Sequence, residues 1–173
     1  ILIGLVGSEM CIRDRMEIRL EPVKTEEKEI LYRLLQYSLY EESGTDLNEM
    51  GEDGLFEYQW FDCYFDQRDA MERDAYFIRE EETGKLLGFV MVNEYMQKFS
   101  EGHSIAEFMV IPKYRRQGVG KKAAVLCFEQ YRGNWEVRPS YGSEKAYLFW
   151  KNVIEKYTDG KCRFEDGIFL FQN

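Results

Sequence analysis

The sequence predicts an α/β domain whose strands lie beside one another, many of them joined by hairpins. Three observations predict it. Apolar–polar alternation recurs in short runs, several segments carry apolar residues at helical spacing, and turn residues separate paired apolar runs. The chain has 173 residues, of which 45% are hydrophobic and 16% aromatic. That is one domain's length and enough apolar material for one substantial core.

The elements follow in order. MEIRLE, residues 16–21, sets Met16, Ile18 and Leu20 on one face and charges on the other, as a half-buried strand does. A helix is expected over 25–42, with Ile30, Leu31, Leu34, Leu35 and Leu39 as its stripe and SGT as its stop. Residues 41–54 are acidic and contain glycine, and read as a loop. In LFEYQWFDCYFDQ, Phe56, Trp60 and Tyr64 fall four apart, as do Phe61 and Phe65, which predicts a short helix. DAYFIREE and LLGFVMVNEY flank TGK and read as a hairpin. A strand over 104–110 leads into a helix over 118–131 with Val119, Ala123, Leu126, Cys127 and Tyr131 on one face. WEVR is a short strand, and PSYG breaks the chain. Ala146, Phe149, Trp150, Val153, Ile154 and Tyr157 form a further helical stripe, ended by TDG. KCRFEDGIFLF closes as a hairpin about Asp166-Gly167. Residues 1–15 show no clear period. They are expected to be a non-native or disordered extension, with Met16 as the natural start and 16–173 as a single domain.

Charge and cysteine usage narrow the function. The net charge of −9 argues against nucleic-acid binding, which needs a basic face. The four cysteines have no CxxC spacing and the chain has one histidine, His103, so no metal set is expected. Scattered thiols point to the cytoplasm. No apolar run approaches the roughly 18 residues that span a bilayer, so no membrane partner is expected.

VIPKYRRQGVGKKAA, residues 110–124, carries the chemistry. A helix start presents about four unpaired backbone N–H groups and the positive end of the helix dipole. Glycine there lets an anion approach the backbone closely. Arg115 and Arg116 would add planar donors, and Lys121 and Lys122 point charges. Three phosphate ligands compete. Gly118 to Ala123 fits the GxGxxA dinucleotide fingerprint in form. However, IPKYRR intervenes after the strand, and the next strand ends in arginine rather than an acid. A Walker loop needs glycine where Arg115 stands and Ser or Thr where Lys122 stands.

The third reading rests on a likeness. VIPKYRRQGVGKKA resembles the acetyl-coenzyme-A loop of the GNAT (GCN5-related N-acetyltransferase) superfamily, with Arg115, Gly118 and Gly120 in place. AYLFW, from Ala146, resembles the family's A-x-x-F-Y helix motif, and the element order from Met16 onward is similar to the family's. The resemblance implies a mixed, mostly antiparallel sheet with a central, splayed parallel strand pair, flanked by helices. It implies that backbone amides of Gln117, Gly118, Val119, Gly120 and Lys121, with Arg115 and Arg116, hold the diphosphate of acetyl-CoA. It implies that Met109, Val110 and Ile111 pair with the pantetheine arm. Ser143 stands where the family often has an asparagine on that arm.

For catalysis, the resemblance places an oxyanion-binding N–H near Phe108. An alkylamine acceptor is mostly protonated at pH 7, so a base must act on it. Glu107, a charge amid apolar strand neighbours, is the first candidate, with solvent exposure as the bland alternative; His103 is the second. Trp150 takes the position of the family's proton-donating tyrosine, and its indole N–H has no useful acidity. Tyr147 and Tyr141 are the substitutes, unless they merely pack. Asn93, Glu94 and Tyr95 are candidates for the amine pocket. The expectation is a metal-free N-acetyltransferase acting by direct attack of a primary amine on acetyl-CoA. The acceptor is a small molecule or peptide, and a homodimer is the assembly considered. A non-catalytic acyl-CoA sensor and an NAD(P)-binding domain are the other readings.

Overall fold

A computed structural model describes residues 16–45, 48–66 and 71–173. The expectation for residues 1–15, Cys11 included, lies outside the described residues. The strands are β1 (Ile18–Pro22), β2 (Arg73–Glu80), β3 (Leu86–Asn93), β4 (His103–Val110), β5 (Asn134–Val137), β6 (Cys162–Glu165) and β7 (Ile168–Gln172). The helices are α1 (Lys28–Glu42), α2 (Val119–Gln130) and α3 (Glu144–Tyr157). The strands form one seven-stranded sheet in the order β1-β2-β3-β4-β5-β7-β6. Every neighbouring pair is antiparallel except β4 and β5, which are parallel.

The alternation of the strands decides which helix each face receives. Phe89 and Met91 of β3 pack with Leu31, Leu34, Leu35 and Leu39 of α1. Val90 and Val92, pointing the other way, pack with Ala124, Cys127 and Phe128 of α2 and Trp150, Val153 and Ile154 of α3. Phe89 and Val90 are both fully buried. Burial of a side chain this size contributes about 1.5–3 kcal/mol, and adjacent residues collect it on opposite faces.

Two expected elements differ in detail. The helix expected over 25–42 begins as a single 3-10 turn, Thr25–Glu27, before α1 proper. Ile30, assigned to its buried stripe, is 41% exposed, and the stripe centres on Leu31, Leu35 and Leu39. The helix expected from 55 onward is absent among the described residues, apart from a 3-10 turn at Asp62–Tyr64. Its aromatics are separate plugs: Phe56, Phe61 and Tyr64 each enter the core beneath α1. Gln36 of α1 holds this segment by accepting from Phe56 N at 2.7 Å and donating to Phe56 O at 3.0 Å. That side-chain amide meets backbone needs a helix would otherwise meet internally. The closing hairpin turns as expected, with Asp166 at φ 50° and Gly167 at φ 80°.

Candidate functional site

The site is set by where β4 loses its partner. β5 pairs with β4 only from His103–Trp135 to Ile105–Val137. Beyond Ile105, β4 runs on to Val110 without β5 beside it. A cavity of about 440 Å³ opens there.

A bulge in β4 shapes its wall. Met91 of β3 faces Glu107, and the next residue, Val92, faces Ile105, so Ala106 is the extra residue. Regular alternation would put Ile105 and Glu107 on one face. The inserted residue separates them: Ile105 joins the core beneath α2 and α3, and Ala106 lies toward α1. Glu107 then shares Met91's side of the sheet, toward α1, and lines the cavity. Its charge lies near two tyrosines. Burial, foremost, and the Glu107 charge push the Tyr58 hydroxyl far above its usual range. Burial likewise pushes Tyr64 up to about 12. Both phenols are therefore held neutral, and Asn93 Nδ2 donates to the Tyr64 hydroxyl at 3.4 Å.

The register also fixes where the Phe108 amide points. Ile111 N donates to Leu87 O at 2.8 Å. Residues two apart along an antiparallel ladder repeat the same state, so Phe89–Met109 and Met91–Glu107 are the bonded pairs. Gly88–Val110 and Val90–Phe108 are the alternate, unbonded pairs. The N–H and C=O groups of Phe108 and Val110 therefore face away from β3, toward the gap left by β5.

Beyond β4, Pro112–Tyr114 form a 3-10 turn and α2 begins at Val119. Its N-cap is Gly118, at φ 81°, which has no side chain with which to cap the helix. Arg116, at φ 60°, is also left-handed. Left-handed residues on both sides of Gln117 turn successive N–H groups to one side, a concavity suited to an anion. A diphosphate fits this backbone. Gly120 answers a different need, since a Cβ there would lie 3.2 Å from Phe149 Cε2 and 3.5 Å from Val110 Cγ2. It lets α2 approach α3 and β4.

The expected side chains divide. Glu107, Phe108 and Trp150 line the cavity. Trp150 and Phe149 both pack against the Phe108 ring. Met109 and Val110 are buried, and Ile111 packs beside Met109 against the α1-side core. Arg115 is engaged: its Nε donates to Val110 O at 2.6 Å, and its Nη2 reaches both oxygens of Glu41 at 2.9 and 2.7 Å. Lys122 donates to Met16 O and Glu17, tying α2 to the start of the first strand. Ser143 Oγ accepts from Ala146 N at 3.2 Å, so it is the N-cap of α3. His103 is not among the residues lining the cavity; its ring packs on Tyr131 and Trp135, at 4.8 and 5.6 Å. The Tyr147 ring packs against Phe164 and Phe169, also away from the cavity, whereas Tyr141 lies on the cavity and is 80% exposed. Cys127 is fully buried, and burial pushes its thiol up, so it is packing.

One lining residue is scarcely signalled by the sequence. Glu136, mid-strand in β5, is 3% exposed. WEVR reads as a plain strand, and only a carboxylate between two buried apolar residues hints at more. Glu42, at the end of α1, also lines the cavity and accepts from Ser140 Oγ at 2.6 Å. No helix among the described residues is long and apolar enough to cross a membrane.

Comparison with known proteins agrees with this fold. The model of the acetyltransferase (GNAT) family matches residues 37–142. No curated protein matches the chain. Among solved structures, a tandem GNAT protein from the clavulanic acid biosynthesis pathway superposes with a TM-score of 0.57 at 14% identity. That match covers 87% of this chain and 45% of the other, so the chain spans under half of that protein. YycN of Bacillus subtilis, assigned as an acetyltransferase, gives 0.56 at 16% identity over 79% of this chain and 90% of its own. A Vibrio cholerae protein assigned as a ribosomal-protein-serine acetyltransferase gives 0.54 at 17% identity, over 92% and 95%. At such identities the likeness is one of fold.

Proposed function

Because the chain belongs to the acetyltransferase (GNAT) family, an acyltransferase family, we propose that it moves an acetyl group from acetyl-CoA to a primary amine by direct attack. The observation that carries the reading is the gap beside β4. Pairing with β5 ends at Ile105, and the N–H of Phe108 faces the opening.

The thioester supplies the activated acetyl group; the chain supplies position and charge. The amides about Gln117 to Lys121 hold the diphosphate at the start of α2. The outward N–H and C=O of Val110 offer strand-like pairing to the pantetheine amides, once Arg115 releases the Val110 carbonyl. The N–H of Phe108 stabilises the negative charge that develops on the carbonyl oxygen as the amine adds. Glu107 takes a proton from the acceptor's ammonium, directly or through water, so that the neutral amine is the species that attacks. The thiolate of coenzyme A leaves unaided or takes a proton from water or the exposed Tyr141, since a thiol of pKa near 8.5 is a tolerable leaving group.

The test is release of free thiol from acetyl-CoA across a panel of primary amines, together with thermal melts. Acetyl-CoA at 100 times its Kd stabilises the native state by about 2.7 kcal/mol, and NAD gives no shift. A bulky residue at Gly118 abolishes the acetyl-CoA shift and leaves a folded protein. Glu107→Gln lowers kcat about 100-fold or more, the lower range for a general base, with the Kd for acetyl-CoA within twofold. Equal losses in both reject Glu107 as the base. Trp150 on the cavity, where the family often has tyrosine, favours one other reading, a non-catalytic acyl-CoA sensor. A melting shift with no thiol release on any amine selects it.

A further inference from the structure

β5 holds the loop that leads into β4. Asn134, Glu136 and Arg138 occur at alternate positions, while Trp135 and Val137 between them enter the core beneath α2 and α3. All three side chains bond to the connection between β3 and β4. Asn134 Nδ2 donates to Glu101 O at 3.0 Å, and Arg138 Nη2 donates to Gln97 Oε1 at 2.8 Å. Glu136 makes the central attachment. Its Oε2 accepts from Gln97 N at 2.8 Å, and its Oε1 accepts from Lys98 N at 2.7 Å and Phe99 N at 2.8 Å.

A carboxylate this buried is strongly disfavoured unless it is satisfied. Three successive amides converging on it are charge-assisted bonds at their short limit. Both oxygens are used by the loop, which leaves Glu136 poorly placed to move a proton, although it lies on the cavity wall. The loop it holds contributes Tyr95 and Gln97 to the cavity that Glu107 also lines.

We propose that Glu136 is a positioning residue for acceptor recognition. By gathering the amides of Gln97, Lys98 and Phe99, it fixes Tyr95 and Gln97 as the acceptor-facing wall of the cleft. The diphosphate loop beyond β4 lies outside this arrangement, so cofactor affinity is independent of it. The proposal rests on the acetyltransferase reading above.

Glu136→Gln keeps the shape but turns one amide donor toward the loop amides, breaking at least one of the three bonds. Two measurements test it. Hydrogen exchange followed by mass spectrometry reads the tether without any acceptor: amides 97–99 exchange at least tenfold faster in Glu136→Gln, while those of Phe77 and Phe89 in the sheet centre do not change. Steady-state kinetics use whichever of 1,4-diaminobutane, L-lysine, a lysine-containing peptide and kanamycin the wild type turns over fastest. KM for that amine rises tenfold or more, kcat changes less than threefold, and the Kd for acetyl-CoA stays within twofold. Asn134→Ala loosens the same loop without disturbing a buried charge and moves both readouts in the same direction by less. It therefore serves if Glu136→Gln does not fold. Unchanged exchange at 97–99 overturns the proposal, as does a collapse of kcat at constant KM or a parallel loss of acetyl-CoA binding. Failure of the wild type to acetylate any of the four amines overturns the acetyltransferase reading and the recognition role with it. The exchange result still reports separately on the tether.

Discussion

Gly118 and Gly120 belong to one motif and serve different physics. Gly118 is needed for its left-handed backbone, which costs an ordinary L-residue roughly 1–2 kcal/mol. Gly120 is needed for space, because a Cβ there would press on the Phe149 ring at 3.2 Å. The sequence shows that both are glycine at a helix start and suggests an anion for each. It cannot show that a ring from a different helix fills the site beside the second. Gly120→Ala gains up to about 1 kcal/mol of helix propensity, yet the overpacking costs about 1–3 kcal/mol. Its net effect is destabilising, read as a lowered midpoint in urea. Phe149→Leu placed with it relieves the clash, so the double variant is more stable than the sum of the two single effects predicts. Coupling of about 0.5 kcal/mol or more is expected for residues in contact. Strict additivity would show that Phe149 is not the obstacle.

Among elements, those legible in the sequence are governed by a single local period. The stripe of α3, the β2–β3 hairpin and the Asp166-Gly167 turn fall where alternation and turn chemistry put them. The segment holding Phe56, Phe61 and Tyr64 misleads because its spacing imitates a helix, while its backbone is held by Gln36, a residue of another element. The β4 bulge is invisible for a similar reason: one inserted Ala106 reverses the alternation, and only pairing with β3 reveals it. The link between α1 and the loop before α2 is also long-range. Glu41 closes α1 on Arg115, and both side chains are over 40% exposed. Such a pair contributes about 0–1 kcal/mol, so Glu41→Gln leaves the melting temperature nearly unchanged. It also frees Arg115 for the diphosphate, and the Kd for acetyl-CoA falls by up to about fivefold, the equivalent of 1 kcal/mol. Isothermal titration decides the matter. A weaker Kd in Glu41→Gln would mean that Glu41 orients Arg115 for the ligand and does not compete with it.

For the whole molecule, the decisive feature is how little backbone joins the two parts of the sheet. β1 to β4 form one antiparallel run and β5 to β7 another, and three parallel residue pairs connect them. A short junction leaves room for the cleft, so the two parts must be held by side chains instead. Trp135 lies in that junction, fully buried, in line with His103 of β4. Its ring meets Phe128 of α2 at 5.0 Å and stacks on Phe171 of β7 at 6.2 Å. Its Nε1 donates to Tyr131 O at 3.3 Å. One indole therefore bridges both parts of the sheet and α2. Trp135→Ala is expected to cost about 3–5 kcal/mol, the range for a large aromatic removed from a core, and Trp135→Phe distinctly less. Because the ring links parts and does not merely fill one, the loss should also affect cooperativity. Urea unfolding of the wild type followed by far-UV circular dichroism and by near-UV aromatic signals gives coincident transitions, as a two-state domain does. In Trp135→Ala the two probes separate, with the aromatic signals of the β5–β7 part lost first. Coincident transitions in the variant, merely shifted to lower urea, would show that the remaining packing across the cleft suffices to hold the sheet together.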